Sequence, residues 1–241
     1  MIENNTKDIQ DKIVLNIIKR AFMNNPDIIQ CISEIRDYND ELSRHSFHVA
    51  LLSLLIGIKN GMSASELEEI FIAGLLHDYG KLLIPLSILE KKGRLTIEER
   101  SIIEQHPAAG FFMLKKNTML SDKIIYAVLD HHEKEDGSGY SHRKNSNIIS
   151  DFTKIITIAD IYDAMVSDRA YRKAMDISTV REYLLTNAGR SLDYDQVILF
   201  NQVLNECDLK AYERSFYAVI QALHDHYIAS NNSEISRKQR R

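Results

Sequence analysis

Apolar residues recur along this chain at helical spacing. They fall at Ile9, Ile13, Leu15, Ile17, Ile18 and Phe22, the stripe of an amphipathic helix. A second such stretch covers residues 28–36. The pattern then predicts a long helix over residues 40–60, stopped at Gly61, which suits a C-terminal cap. Ser63-x-x-Glu66 and Thr96-x-x-Glu99 are capping boxes that open helices running towards His77 and His106. Residues 85–89 read as a short helix or turn. Pro107 suits position N1 of a helix through Leu114, and residues 121–132 form the next helical pattern. Residues 133–147 are polar and contain glycine, the composition of a surface loop. Residues 152–166 are apolar enough for a strand, but Asp160 and Asp163 break the alternation, so helix is expected. Asp193-x-x-Gln196 caps a later helix, and residues 209–228 suggest a final one. The reading is one all-α domain. Residues 40–205 form its core, 1–39 a helical extension, and 206–241 a terminal helix and basic tail.

Composition agrees. Nine glycines and three prolines in 241 residues are few for a strand-rich fold, and 44% hydrophobic residues suffice for a core. The net charge of −4 argues against duplex nucleic acid as a partner. The basic end, Arg237-Lys238-Gln239-Arg240-Arg241, reads as a solvated tail. Cys31 and Cys207 are far apart without metal spacing, as reduced thiols of a cytoplasmic protein are. The polar start is no signal peptide. The longest apolar stretch, residues 49–58, is half of the ~20 residues that cross a bilayer. A cytoplasmic protein with no membrane partner is expected.

The chemistry centres on Leu75-Leu76-His77-Asp78-Tyr79-Gly80-Lys81. Adjacent His and Asp offer two ligands, and Lys81 can meet a phosphate. Further candidates are His45, His106, the pair His131-His132, and Asp160, a carboxylate in an apolar run that needs a partner. Glu41 lies one turn before His45 and shares its face. Each histidine alone reads more simply as a packed or surface residue; five of nine in one such set do not. His48 is read as packing, His142 as a loop residue, and His224-Asp225-His226 as a solvated helix face. A histidine and carboxylate set without cysteine suits Fe, Mn or Zn. More than four ligands points to two or three ions sharing carboxylates.

In order and spacing these residues resemble the HD-GYP branch of the HD phosphohydrolase superfamily. The resemblance runs through Arg44-His45-Ser46, His77 to Lys81, Ile84-Pro85, Gly93-x-Leu95-Thr96 and His106-Pro107-x-x-Gly110. It continues in His131-His132-Glu133-x-x-Asp136-Gly137-Ser138-Gly139-Tyr140 and in Ala159-Asp160-x-x-Asp163 to Arg172. It implies a helical HD-domain bundle with a metal site in its core. It also implies hydrolysis of cyclic di-GMP to linear pGpG and on to GMP, with metal-activated water attacking phosphorus.

Carried over by position, the metal ligands are Glu41, His45, His77, Asp78, His106, His131, His132 and Asp160. Asp78 is the bridging carboxylate and Glu41 the ligand to a third ion. Two or three divalent ions are implied, Fe or Mn first, with Zn, Mg, Ni or Co as alternatives. Lys81, Tyr140, Arg169 and Arg172 are the implied substrate contacts, Lys81 being catalytic together with Asp78.

One departure stands out. The family's Gly-Tyr-Pro reads Gly139-Tyr140-Ser141, followed by His142-Arg143-Lys144-Asn145-Ser146-Asn147. Losing proline frees φ and is expected to loosen a loop that the resemblance ties to substrate and partner proteins. Two alternatives stay open: another nucleotide substrate such as cyclic GMP-AMP, and a noncatalytic module that binds cyclic dinucleotide or a partner. Residues 1–39 are too short for most sensor domains and suit core packing or homodimer contacts.

Overall fold

The computed structural model describes residues 2–116, 120–144, 147–168 and 172–207, together with Leu209 and Tyr212; over residues 2–10 only the backbone is described. The helices are α1 (Ile2–Asn24), α2 (Asp27–Tyr38), α3 (Asp40–Lys59), α4 (Ala64–Leu76), α5 (Leu86–Leu89), α6 (Ile97–Ile103), α7 (His106–Leu114), α8 (Asp122–Asp130), α9 (Asp151–Val166), α10 (Ile177–Asn187) and α11 (Tyr194–Glu206). A 3-10 turn, Tyr79–Leu83, follows α4. There is no strand among the described residues; Ala188 and Leu192 form an isolated bridge.

Helix ends fall where side chains satisfy the free backbone donors. Both predicted capping boxes form: Ser63 accepts from Glu66 N while Glu66 reaches back, and Thr96 and Glu99 do the same. Gly61, at φ 71°, closes α3 in a Schellman motif, with Met62 N bonded to Gly57 O and Gly61 N to Ile58 O. Asp193 caps α11 through Gln196 N. Pro107 lies one residue further into α7 than expected, because Gln105 is the N-cap. The pattern for α8 overran. The helix ends at Asp130 and His131 is its C-cap.

The sequence pattern did not show α10, whose buried residues are Val180 and Leu184 alone. Two buried anchors among the exposed Ile177, Tyr183 and Leu185 leave no clean periodic signal. The helix predicted over residues 209–228 lies outside the described residues apart from Leu209 and Tyr212, and so does the basic tail.

The centre of the bundle is α3, buried almost all round from Val49 to Gly57 and packed on α4 and α9. α4 also meets α1 and α8. The N-terminal helices belong to this core: Ile17, Ile18 and Phe22 are buried, and Phe22 meets Phe71 edge-on at 6.1 Å. α3, α4 and α9 therefore lie side by side, and the ends of α4 and α8 with the start of α7 converge on them.

Candidate metal centre

His45 comes from the first half of α3, His77 and Asp78 from the end of α4, and His106 from the start of α7. His131 and His132 follow α8, and Asp160 lies within α9. His45, His77, Asp78, His106 and His131 are each at most 3% exposed.

Three of the histidines are aimed by one device. The ring Nδ1 of His77 donates to Gly74 O (2.7 Å), that of His106 to Ile103 O (2.7 Å), and that of His131 to Val128 O (2.8 Å). A carbonyl only accepts, so each Nδ1 carries the proton and each Nε2 offers a lone pair to the centre. The acceptor in each case is the carbonyl three residues earlier, left free as a helix ends.

The Nε2 atoms gather around Asp78. On one side, Asp78 Oδ2 lies 3.4 Å from His45 Nε2 and 3.3 Å from His77 Nε2. On the other, Oδ1 lies 3.0 Å from His106 Nε2 and 3.8 Å from His131 Nε2. Two groups of ligand atoms result, His45–His77–Asp78 and Asp78–His106–His131–His132. Within each group all atoms lie within 4.8 Å of one another. Asp160 faces both: Oδ1 is 3.1 Å from His45 Nε2 and 4.0 Å from His77 Nε2, and Oδ2 is 3.9 Å from His132 Nδ1.

These residues fit divalent ions. The Nε2 atoms of His106 and His131 lie 3.1 Å apart with both ring protons committed elsewhere, so two lone pairs face each other. Ligands held about 2.0–2.2 Å from a shared ion sit roughly 3.0–3.5 Å apart, the spacing of most pairs here. His77 Nε2 and Asp78 Oδ1 are buried without a hydrogen bond. Buried lone pairs of this kind need a cation or a donor.

Electrostatics agree at every one of these groups that shows a shift except His45. Burial opposes charge on His45, but hydrogen bonds to Asp160, Asp163 and Asp78 outweigh it and push its pKa up to about 10. Burial also opposes charge on Asp78. Lys81 and His77, with His106 and His45 close by, nevertheless hold it well below the usual carboxylate range. Asp160 is lowered likewise, against its burial, chiefly by His45. Burial and neighbouring imidazoles push His131 well down, and burial takes His132 to about 3. The anionic Asp78 and Asp160 and the neutral His131 and His132 are in the protonation states that metal binding requires. His45, held cationic by its three carboxylate neighbours, would give up its Nε2 proton to a bound ion.

One functional residue escaped the sequence reading, and a second was underrated. Asp163 accepts from His45 Nδ1 (2.6 Å) and from His48 Nδ1 (2.8 Å), so it orients His45 as the helix-end carbonyls orient the others. His48 is thus a hydrogen-bond partner and not mere packing. The signal was the Asp160-x-x-Asp163 spacing, which places two carboxylates on one helix face. Asp163→Ala is expected to weaken metal binding about 10–100-fold, read by metal titration. An unchanged affinity would remove Asp163 from the centre.

The remaining candidates are placed differently. Lys81 Nζ sits 2.5 Å from Asp78 Oδ2, at the rim of the centre. The Tyr140 ring stacks on His132 at 4.4 Å between centroids and 27° between planes. Glu41 belongs to neither ligand group and lines a surface depression with Arg44 and Glu90. Arg172 donates to the carbonyls of Ala164 and Met165 at the end of α9. Arg169 and the 224–226 segment lie outside the described residues. No helix among the described residues is long and apolar enough to cross a membrane.

Residues 30–197 match the HD domain family. A cyclic di-GMP phosphodiesterase of Thermotoga maritima is 41% identical over 181 residues, covering 75% of this chain and 49% of that protein. A 3′3′-cGAMP-specific phosphodiesterase of Vibrio cholerae is 36% identical over 156 residues, covering 64% of this chain and 30% of that protein. The chain therefore spans half or less of the length of these relatives. Among solved structures, an HDG"Y"P protein from Bdellovibrio bacteriovorus aligns with a TM-score of 0.59 at 18% identity, over 84% of this chain and 63% of that one. That likeness supports the fold alone.

Proposed function

The chain belongs to the HD domain family, and on that premise we propose that it is a metal-dependent phosphodiesterase of cyclic dinucleotides. Cyclic di-GMP is the favoured substrate, opened to linear pGpG and cut further to GMP. The observation that carries this reading is Asp78, whose two oxygens each head a separate group of histidine ligands.

His45 and His77 would hold one ion and His106, His131 and His132 a second, with Asp78 and Asp160 reaching both. Fe or Mn is favoured for this donor set, and a third ion would have to recruit Glu41. When bound, the ions supply Lewis acidity that polarises the phosphodiester and acidifies water. The chain's own residues do the rest. Asp78 and Asp160 concentrate negative charge where the cations sit. Lys81, held by Asp78, presents an ammonium at the rim to neutralise phosphate oxygens as charge builds on them. Tyr140 offers an aromatic face beside His132 for a base or ribose. Arg169 and Arg172 are assigned to substrate phosphates by motif position. Cyclic GMP-AMP is the second reading, favoured by the altered segment after Tyr140 and the Vibrio cholerae relative.

The test is anaerobic purification, metal analysis and incubation with each cyclic dinucleotide. Two or three ions per chain are expected, with linear product formed. A chelator should abolish turnover, and added Fe(II) or Mn(II) should restore it. Metal-loaded protein that cleaves neither dinucleotide would sink the reading and leave a binding module.

A further inference from the structure

Residues 141–144, after Tyr140, lack the expected proline, yet they are not left loose. Ser141 has φ 101° and Arg143 φ 53°, positive values that side chains other than glycine rarely adopt. The residues between and after them are tied down. His142 N donates to Glu133 Oε1 (2.6 Å) and Lys144 N donates to Glu133 Oε2 (2.9 Å). Turning alternate residues to positive φ points both N–H groups at one carboxylate. The Lys144 ammonium then reaches Asp130 Oδ2 at 2.6 Å. Both acids are buried, Glu133 at 2% exposure and Asp130 at 4%.

Asp130, Glu133 and His142 bring ligand-type atoms within 4.8 Å of one another, but the cation seated there is the Lys144 ammonium, paired with Asp130. Glu133 directly follows the ligand His132. Tyr140 N donates back to His132 O at 3.4 Å. A Cβ on Gly139 would lie 2.5 Å from that same oxygen, so only glycine lets the strands of the loop approach this closely.

We propose that Asp130, Glu133 and Lys144 are positioning residues: they hold segment 141–144 in its strained path and thereby keep the Tyr140 ring on the ligand His132. Proline at 141 cannot follow that path, because its ring fixes φ near −65°. The catalytic consequence rests on the phosphodiesterase reading; the positioning itself does not.

Limited trypsin digestion of the full chain, with cleavage after Arg143 followed by mass spectrometry, tests the positioning without any activity. The parent is expected to resist. Lys144→Met should be cut about tenfold faster or more, as a segment freed to open locally is. Glu133→Gln should behave alike, because its amide turns a donor towards an N–H donor. Lys144→Arg should stay protected. Ser141→Gly, which tolerates φ 101°, should also stay protected, while Ser141→Pro is cut. In the loosened variants KM for cyclic di-GMP should rise about three- to tenfold, with kcat and bound metal within about twofold of the parent. Lys144→Arg should keep the parent KM. Lys144→Met lies at the outer end of the ion pair and decides the matter if the buried-acid variants do not fold. Equal protection in Lys144→Met and the parent, or a protected Ser141→Pro, would overturn the proposal. Protein that is protected as expected but turns over no dinucleotide would overturn only the phosphodiesterase reading.

Discussion

Asp78→Ala is expected to remove turnover by a factor on the order of 10³ or more, together with most of the bound metal. Asp160 faces both ligand groups from α9, but among the described residues Asp78 is the carboxylate that belongs to both. Its Oδ1 lies 3.0 Å from His106 Nε2, and its Oδ2 serves His45, His77 and Lys81. Alanine deletes the bridge for both groups at once and leaves Lys81 beside buried imidazoles without its counter-charge. Removing one partner of a buried ion pair costs about 3–5 kcal/mol when the other stays charged, so the melting temperature is measured alongside. Asp78→Asn separates the two effects. It keeps the volume and one acceptor oxygen, so it should fold better than alanine and still fail to hold the full metal complement. Metal analysis and product chromatography on both variants decide it. Turnover within tenfold of the parent in Asp78→Ala would mean that the chemistry lies elsewhere.

Gly80→Ala is expected to do comparable damage by a different route. A Cβ at Gly80 would sit 2.0 Å from His106 O and 2.4 Å from Gly110 N. Both are backbone atoms, so no side-chain rotation relieves the clash. Either the 3-10 turn or α7 must move, and His106 moves with α7. The structure should lose about 3 kcal/mol or more, a fall in melting temperature of roughly 6–12 °C for a chain of this size. The His106 group should lose metal even where folding persists. Gly93→Ala is the control, since nothing lies within 4 Å of its Cβ position. Calorimetry and metal content are the readouts. If Gly80→Ala matches Gly93→Ala in both, the close approach of the turn to α7 does not organise the site.

Part of this molecule was legible from neighbouring residues alone. The capping boxes at Ser63 and Thr96 and the stop at Gly61 depend on atoms three or four residues apart, and they formed where they were read. The aspartates in residues 152–166 spoke for helix over strand, and α9 is a helix. The kind of centre was readable as well, because five of the nine histidines fall into one ordered set with aspartates that resembles a known family's motifs.

What lay beyond reach depends on how distant elements are set against one another. Which histidine faces which oxygen of Asp78 follows from the placing of α3, α4, α7 and α8. Asp163 sits one turn from Asp160, yet its role appears only once α9 packs on α3 and brings it to His45 and His48. The motif could not show that Arg172 caps α9, or that Glu41 stands apart from both ligand groups. The loss of proline suggested a loose loop, because φ at one residue is a local property. The hold on that loop comes from Asp130 and Glu133, whose burial only the fold creates. The sequence by itself determined most of the helices, the ends fixed by local caps and the chemical kind of the centre, since those are set over a few residues of chain. Tertiary structure alone decided the division of the ligands about Asp78, the close approach at Gly80 and the anchoring beside Tyr140, because each needs atoms that meet only when separate helices pack.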